Sequence, residues 1–380
     1  MPHFFDVRNV IEKVPDAHIY MFIGERSNGK TYSALSYALD RYTQSDGQER
    51  FAYVRRLSES IKQKYMRELF NGNVATGDVT RHLKQMGQEG ITFYSGAFFP
   101  YVTGENNKRT RLDNPIGYTF SINTWETSKG ASFPDVTTII FDEFLTRQYY
   151  LPSEPSLFEN LVSSIVRQRD NVKILMLANT VSWAAPYFNE WGLNHVREME
   201  QGTYDEYKSG DGKRKIIVCY TEHIGAKASD VYFNYDNPRS RMITSGIWET
   251  AMYPPIPDDI SQWDLGEPAY IQSIDGWSVK LQPASTPDGL EVLIIFDNGR
   301  EIMHNKPPYI DNKYKDRIVY TDYFYPCANC RMALTKHSDP YSKFIAECLR
   351  QGRVFYANNT VGENVRNYLK FSTTYTPIPN

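Results

Sequence analysis

Gly24-Glu25-Arg26-Ser27-Asn28-Gly29-Lys30-Thr31 fills every fixed position of the pattern GxxxxGK[ST]. The apolar run His18 to Ile23 precedes it. Behind it, Thr31 to Tyr42 carries Ala34, Leu35, Ala38, Leu39 and Tyr42 at helical spacing. Strand, glycine loop and helix in that order form a cradle for phosphates. Glycines let backbone N–H groups wrap the anion, and the helix turns its positive end toward it. Lys30 is expected to neutralise the β- and γ-phosphates, and the Thr31 hydroxyl to hold Mg2+. Gly24, Arg26, Ser27, Asn28, Gly29, Lys30 and Thr31 are the candidate nucleotide-binding residues. Arg26 sits inside the loop, where it meets the nucleotide, meets a partner or points to solvent.

A second stretch gives the loop its partner. Val136-Thr137-Thr138-Ile139-Ile140-Phe141-Asp142-Glu143 reads as a buried strand that delivers two carboxylates to its end. Asp142 is the candidate second holder of Mg2+, and Glu143 the candidate general base for water. The adjacent glutamate favours a hydrolase over a kinase. Further on, Lys173 to Thr180 is a strand ending in small polar residues. Asn179, with Thr180 second, either senses the γ-phosphate or satisfies a turn. The long separation between Lys30 and Asp142 leaves room for Tyr118 to Trp125 as an extra strand between the two motif strands. That is the arrangement of the additional-strand, catalytic-glutamate (ASCE) class of P-loop ATPases. A GTPase is disfavoured, because the Asn-Lys pairs at Asn305 and Asn312 lack an Asp two residues after the lysine.

Around these motifs the first half alternates strand-like and helix-like segments. Phe51 to Val54 reads as a strand, Ile61, Tyr65 and Leu69 mark a helix, and Pro155 to Val166 is another helix. Such alternation predicts a parallel sheet covered by helices on both faces. The polar stretches 71–90, 102–115 and 202–215 read as surface loops. The expected organisation is a P-loop ATPase domain over 1–222, a linker over 223–262 punctuated by Pro238, Pro254, Pro255 and Pro257, and a smaller α/β domain over 263–380. In that last domain Ala269 to Leu281 and Glu291 to Asn298 read as strands. Ser338-Asp339-Pro340 opens a helix that Gly352 ends, and Thr360 with Glu363 forms a capping-box pattern for a terminal helix.

Composition narrows the class. With 41% hydrophobic and 23% charged residues, 28 Tyr and 20 Phe, the chain is globular rather than disordered. The longest apolar run is too short to cross a bilayer, and no secretory h-region is visible, so an intracellular soluble protein is expected. A formal net charge of −3 gives no general attraction to nucleic acid, so any DNA contact has to be local. Four cysteines do not make a disulfide scaffold. Cys327 and Cys330 form one CxxC with only His337 nearby. The choice there is between a zinc site short of its usual four ligands and two thiols beside a turn.

Several cations have two readings each. Arg167 and Arg169 close the helix that begins near Pro155, where cations suit the dipole. They are also placed as candidates for a trans-acting arginine finger, with Arg147 a rival. Lys129 could reach a neighbouring subunit's nucleotide. Arg55, Arg56 and Lys62, with Lys64 and Arg67, form one basic run, and Lys108, Arg109 and Arg111 another. Each run is either a grip on DNA phosphates or a solvated face.

Taken together, the arginine-containing loop 24–31, Ser132-Phe133-Pro134-Asp135-Val136 running into Asp142-Glu143-Phe144, Val166-Arg167-Gln168-Arg169, and Leu177 to Ser182 followed by Pro186-Tyr187-Phe188 resemble the DNA-encapsidation ATPases of phi29-like phages. Tyr53-Val54-Arg55-Arg56 fits the same family. The likeness is distinctive over about 20–190 and weaker toward the C-terminus. It implies a homo-oligomeric ring, usually a pentamer, that hydrolyses ATP with Mg2+ in the host cytoplasm. It also implies docking on the portal of a procapsid to drive double-stranded DNA inward, with Arg167 in the finger position. In some relatives a structural RNA joins the motor. The family's C-terminal domain is similar to the RNase H-like nuclease of larger terminases but has lost cleavage. Asp275, Asp297 and Asp322 stand near strand ends here, so a carboxylate cluster remains a second reading. The competing functions are a nucleotide-regulated assembly switch, a membrane-associated assembly ATPase and a terminase with working nuclease.

Overall fold

The computed structural model describes residues 4–374 except 105, 129–131, 147–149, 181–184, 210–211, 223–252, 300–303, 307–308, 311–313, 315 and 324–328. The chain divides into two compact units. One comprises Met1–Thr146 with Pro155–Glu249, the other Arg147–Glu154 with Thr250–Asn380. Most of the expected linker, 223–252, lies outside the described residues. No helix among the described residues is long and apolar enough to cross a membrane.

The first unit contains strands β1 (Ile19–Gly24), β2 (Arg50–Arg55), β3 (Gly90–Tyr94), β4 (Ala97–Thr103), β5 (Arg109–Arg111), β6 (Gly117–Ser121), β7 (Val136–Asp142), β8 (Lys173–Asn179), β9 (Thr203–Lys208) and β10 (Lys215–Tyr220). Its helices are α1 (Arg8–Lys13), α2 (Lys30–Gln44), α3 (Gln63–Met66), α4 (Asn71–Ala75), α5 (Asp78–Lys84), α6 (Glu154–Val166) and α7 (Pro186–Glu190). All ten strands form one sheet in the order β3-β4-β6-β2-β7-β8-β1-β10-β9, with β5 on β4. From β6 to β10 every neighbour runs parallel. The antiparallel strands lie at the two ends. Central strands buried on both faces need continuous apolar runs, and β1 is buried at all six positions. Tyr20 and Phe22 of β1 pack with Leu35 and Leu39 of α2 in the main core.

The expected extra strand is corrected. Tyr118 to Trp125 gives β6 and then a 3-10 turn over Ile122–Ser128, and β6 pairs with β2 outside the two motif strands. The strand inserted between β1 and β7 is β8. Burial explains the choice. β8 is buried at its five inner positions and tolerates a central place, whereas β6 is only partly buried. The ASCE expectation therefore stands with a different strand supplying the insertion.

The expected loops also carry structure. The stretch 71–90 contains α4 and α5, the latter burying Val79 and Leu83, an i, i+4 pair too sparse to announce a helix. In 102–115, β5 is exposed at all three residues and so shows no apolar alternation. Its support is cation–π: Arg111 lies 4.4 Å from the Tyr94 ring and 4.7 Å from Phe99, and Arg109 lies 4.8 Å from Tyr101. In 202–215, β9 pairs antiparallel with β10. The helix expected at Ile61, Tyr65 and Leu69 shrinks to a 3-10 turn and the four-residue α3, with Tyr65 exposed.

The second unit contains β11 (Asp264–Leu265), β12 (Ala269–Gln272), β13 (Ser278–Ser285), β14 (Glu291–Asp297), β15 (His304–Lys306), β16 (Tyr309–Ile310), β17 (Val319–Thr321), β18 (Cys330–Met332) and β19 (Val354–Tyr356). Its helices are α8 (Pro340–Gln351) and α9 (Asn359–Thr374). The expected single strand 269–281 is two, split by a turn at Gly276 with φ 80°. The meander β12-β13-β14 is antiparallel, and β17 then β18 add in parallel beside β12. The sheet runs in the order β18-β17-β12-β13-β14-β19.

Helix α8 starts as the sequence suggests: Asp339 accepts from the Ser342 N–H at 3.0 Å, and Gly352 ends it at φ 70°. Helix α9 does not. Asn358, not Thr360, accepts from the Val361 N–H, and Glu363 turns inward to accept from Tyr253 Oη at 3.0 Å.

Candidate active site

The phosphate loop leaves β1 at Gly24 and enters α2 at Gly29, whose φ of 95° is open only to glycine without strain. A Cβ at Gly24 would stand 1.8 Å from Thr221 Oγ1. The loop is thus pressed against the residue that follows β10. Asn28 and Lys30 are buried, while Arg26 and Ser27 face solvent. Lys30 Nζ donates to Glu25 O at 2.7 Å, to Asn28 Oδ1 at 2.9 Å and to Asn179 Oδ1 at 3.5 Å. Asn179 reaches it because β8 runs beside β1 in a register that puts Gly24 opposite Asn179. Thr180 donates its N–H to Gly24 O, and its buried hydroxyl has no hydrogen-bond partner among the described residues.

Two strands away, β7 carries Asp142 to the same end of the sheet. Both Asp142 oxygens lie 3.4 Å from Thr31 Oγ1. A hydroxyl and a carboxylate are hard oxygen donors suited to Mg2+. The orphaned Thr180 hydroxyl beside the loop also fits a site made to receive a polar ligand. Tyr53 Oη donates to Asp142 Oδ2 at 2.8 Å, and burial beside that carboxylate raises the tyrosine's pKa well above its ordinary value. The phenol therefore remains a donor.

Glu143 sits just past β7 with φ 60°, a left-handed backbone that costs a non-glycine residue energy. Its carboxylate is half exposed and accepts from Arg55 Nη2 at 2.5 Å. Arg55 also lies 3.6 Å from Asp142 Oδ2 and 3.4 Å from Tyr53 Oη. Arg56 is buried and donates to Glu143 O at 3.1 Å and Phe144 O at 2.7 Å. Arg55 and Arg56, candidates for DNA contacts or a solvated face, are both engaged within the chain. Their guanidiniums turn inward, onto the carboxylates and backbone that follow β7. Lys62 is exposed.

Arg169, a candidate trans contact, is engaged in the same way. It donates to five carbonyls, those of Phe133, Pro134, Val136, Ile165 and Val166, clamping the end of α6 to the chain entering β7. It is committed within its own subunit. Arg167 is exposed at the end of α6 with φ 54°, its N–H donating to Ser163 O. Lys129, Arg147, Val181, Ser182 and Cys327 lie outside the described residues.

In the second unit the three aspartates are engaged locally. Asp322 is buried and accepts from Ser273 Oγ at 2.5 Å and the Ile274 N–H at 2.8 Å; burial raises its pKa. Asp297 accepts from the Gly299 N–H, and Asp275 from the Ser153 N–H. Among the described residues no group of three or more His, Cys, Asp or Glu is placed to hold a metal.

Residues 103–207 match the family described as Podovirus DNA encapsidation protein (Gp16). The chain is 29% identical over 195 residues to the DNA packaging protein of Bacillus phage phi29, which covers 50% of this chain and 51% of that one. With the DNA packaging protein of Bacillus phage B103 it shares 29% over 183 residues, 47% and 49% of the two chains. This chain is similar to the podovirus DNA-encapsidation proteins over these stretches. It spans about half the length of these curated relatives. Two solved structures share its fold along nearly the whole chain. They are the Phi-28 gp11 DNA packaging motor (TM-score 0.54, 15% identity, 100% of both chains) and the bacteriophage Phi-29 viral genome packaging motor assembly (TM-score 0.55, 17% identity, 97% and 99%). The encapsidation-family match begins at the end of β4 and runs through β7, α6 and β8 into β9. It therefore includes Asp142, Glu143, Arg167 and Asn179, while the phosphate loop precedes it.

Sequence reading missed three residues at this site. Thr221 stands far from the loop in sequence and has no motif of its own. Tyr53 and Arg55 belong to a stretch that the family resemblance singled out, but nothing in their spacing tells that they face Asp142 and Glu143.

Proposed function

We propose that this chain is the ATP-hydrolysing subunit of a homo-oligomeric ring, a pentamer, that drives double-stranded DNA through a portal into a procapsid. The observation that carries the reading is the convergence of Lys30, Thr31, Asp142, Glu143 and Asn179 at one end of β1, β8 and β7. In this scheme the loop amides and Lys30 bind the β- and γ-phosphates, with Asn179 steadying Lys30 from the neighbouring strand. Thr31 Oγ1 and the Asp142 carboxylate would hold Mg2+, which supplies positive charge against the phosphate oxygens. Tyr53 fixes the Asp142 carboxylate by its hydrogen bond. Glu143 takes a proton from the attacking water once its carboxylate leaves Arg55. Arg167 reaches the γ-phosphate of a neighbouring subunit, where a guanidinium stabilises charge as it develops. The family relationship and the whole-chain fold likeness support DNA as the cargo.

The test is ATP turnover by the purified protein with and without double-stranded DNA, across protein concentration. Turnover that rises with both supports a ring motor. Turnover indifferent to both favours a nucleotide-regulated assembly switch.

A further inference from the structure

We infer that Thr221 is a positioning residue for the nucleotide, acting through Asn28 to fix the orientation of Lys30. The inference rests on the ATP-binding reading above and assigns a role to a residue outside the phosphate-loop motif. Thr221 is fully buried, just beyond β10, and its N–H donates to Ile23 O at 2.8 Å, locking it beside the C-terminal end of β1. Its hydroxyl accepts from Asn28 Nδ2 at 2.8 Å, across 193 residues of sequence. An amide has one donor end and one acceptor end. With Nδ2 spent on Thr221, the Oδ1 end must face the other way, and there it accepts from Lys30 Nζ at 2.9 Å.

The chain of contacts has a directional logic. Without the hydroxyl, the Asn28 amide can turn over and present its NH2 group to an ammonium, replacing an attraction with a repulsion. Lys30 then loses one of the acceptors that hold it at the loop. Hydrogen bonds to charged groups are among the stronger ones, and buried groups have no water to replace a lost partner. The same contact accounts for Gly24. Any side chain there would occupy the position of Thr221 Oγ1, so the glycine makes room for the hydroxyl as well as for phosphate.

Two conservative variants separate this role from simple packing. Thr221→Val keeps the shape and loses the hydroxyl, whereas Thr221→Ser keeps the hydroxyl and loses a methyl group. If orientation of Asn28 is what matters, Thr221→Val weakens binding of a fluorescent ATP analogue by about tenfold, on the scale of one charge-assisted hydrogen bond. Thr221→Ser binds like wild type. Packing alone gives the opposite order, with Ser worse than Val.

Asn28→Ala removes the other end of the pair and is expected to lose affinity by a similar factor. Adding Thr221→Val to it should then cost nothing more. Asn28→Ala also carries the test if the Val variant does not fold. The proposal is overturned if Thr221→Val and Asn28→Ala bind the analogue like wild type, or if Ser fails as Val does. A wild-type protein that binds no ATP is a different result, since it removes the ATPase reading itself.

Discussion

Arg55 and Glu143 are joined end to end, Nη2 to Oε2 at 2.5 Å. The candidate base is therefore neutralised by a cation from the adjacent strand β2, next to the carboxylate that faces Thr31. A carboxylate held by a guanidinium is kept away from water until that contact breaks. Replacing Arg55 with Ala is expected to raise ATP turnover in the absence of DNA and to reduce the further stimulation by DNA. ATP affinity should stay within about threefold, because the phosphate-binding groups are untouched. DNA stimulation equal to wild type would show that the pair has no part in control.

Glu143→Gln keeps the shape and hydrogen bonding of the side chain but removes its basicity. Turnover is expected to fall by about 10²–10⁴, the usual contribution of a general base, with ATP binding retained. Equilibrium binding and single-turnover hydrolysis read the two effects separately. A variant that hydrolyses at the wild-type rate takes Glu143 out of this role.

Gly24→Ala should be severe despite its small size. Its Cβ would meet Thr221 Oγ1 at 1.8 Å, and the Thr221 N–H bond to Ile23 O of β1 holds Thr221 in place. Overpacking of this kind costs about 1–3 kcal/mol. Denaturant unfolding should show a loss of that order, together with loss of ATP-analogue binding. An alanine variant as stable as wild type that also binds the analogue would mean that the loop stands further from Thr221 than described.

Acid should loosen the first unit through Asp78. Burial pushes this carboxyl up, but hydrogen bonds from His82, Asn73 and Ser36 outweigh it and bring its pKa from the ordinary 3.8 to about 2. The folded value is the lower one. The stabilisation is therefore complete above pH ~4 and is lost as pH falls toward ~2. At about 1.4 kcal/mol per unit it amounts to about 2 kcal/mol at neutral pH. Asp78→Asn is expected to be less stable by that order at pH 7, with the gap closing on acidification. A constant difference from pH 7 to pH 2.5 would contradict it.

The chemistry of the site was more legible in the sequence than its surroundings. Gly24 to Thr31 and Val136 to Glu143 are read directly because each residue has a fixed task at a fixed spacing. The parallel core follows from apolar runs buried on both faces. Strand order was not legible: β6 and β8 are both plausible neighbours of β7, and burial decides between them only once the sheet is built. The facing of the basic residues was illegible for a related reason. Arg55 and Arg56 read as part of a basic run and Arg169 as a helix-end cation or finger candidate, and each turns onto carboxylates or carbonyls delivered from distant segments. Charge in a sequence carries no sign of which way it faces. Strand β5 escaped because cation–π contacts with Tyr94, Phe99 and Tyr101 leave no apolar period.

The central claim is a ring whose active sites are shared between subunits, and Arg167 tests it most directly. Wild-type protein is mixed with increasing fractions of Arg167→Ala at constant total concentration, and DNA-stimulated ATP turnover is measured. Shared sites in a coordinated ring require turnover to collapse faster than the fraction of variant rises. A fall in simple proportion would contradict the account and leave independent ATPase subunits in its place.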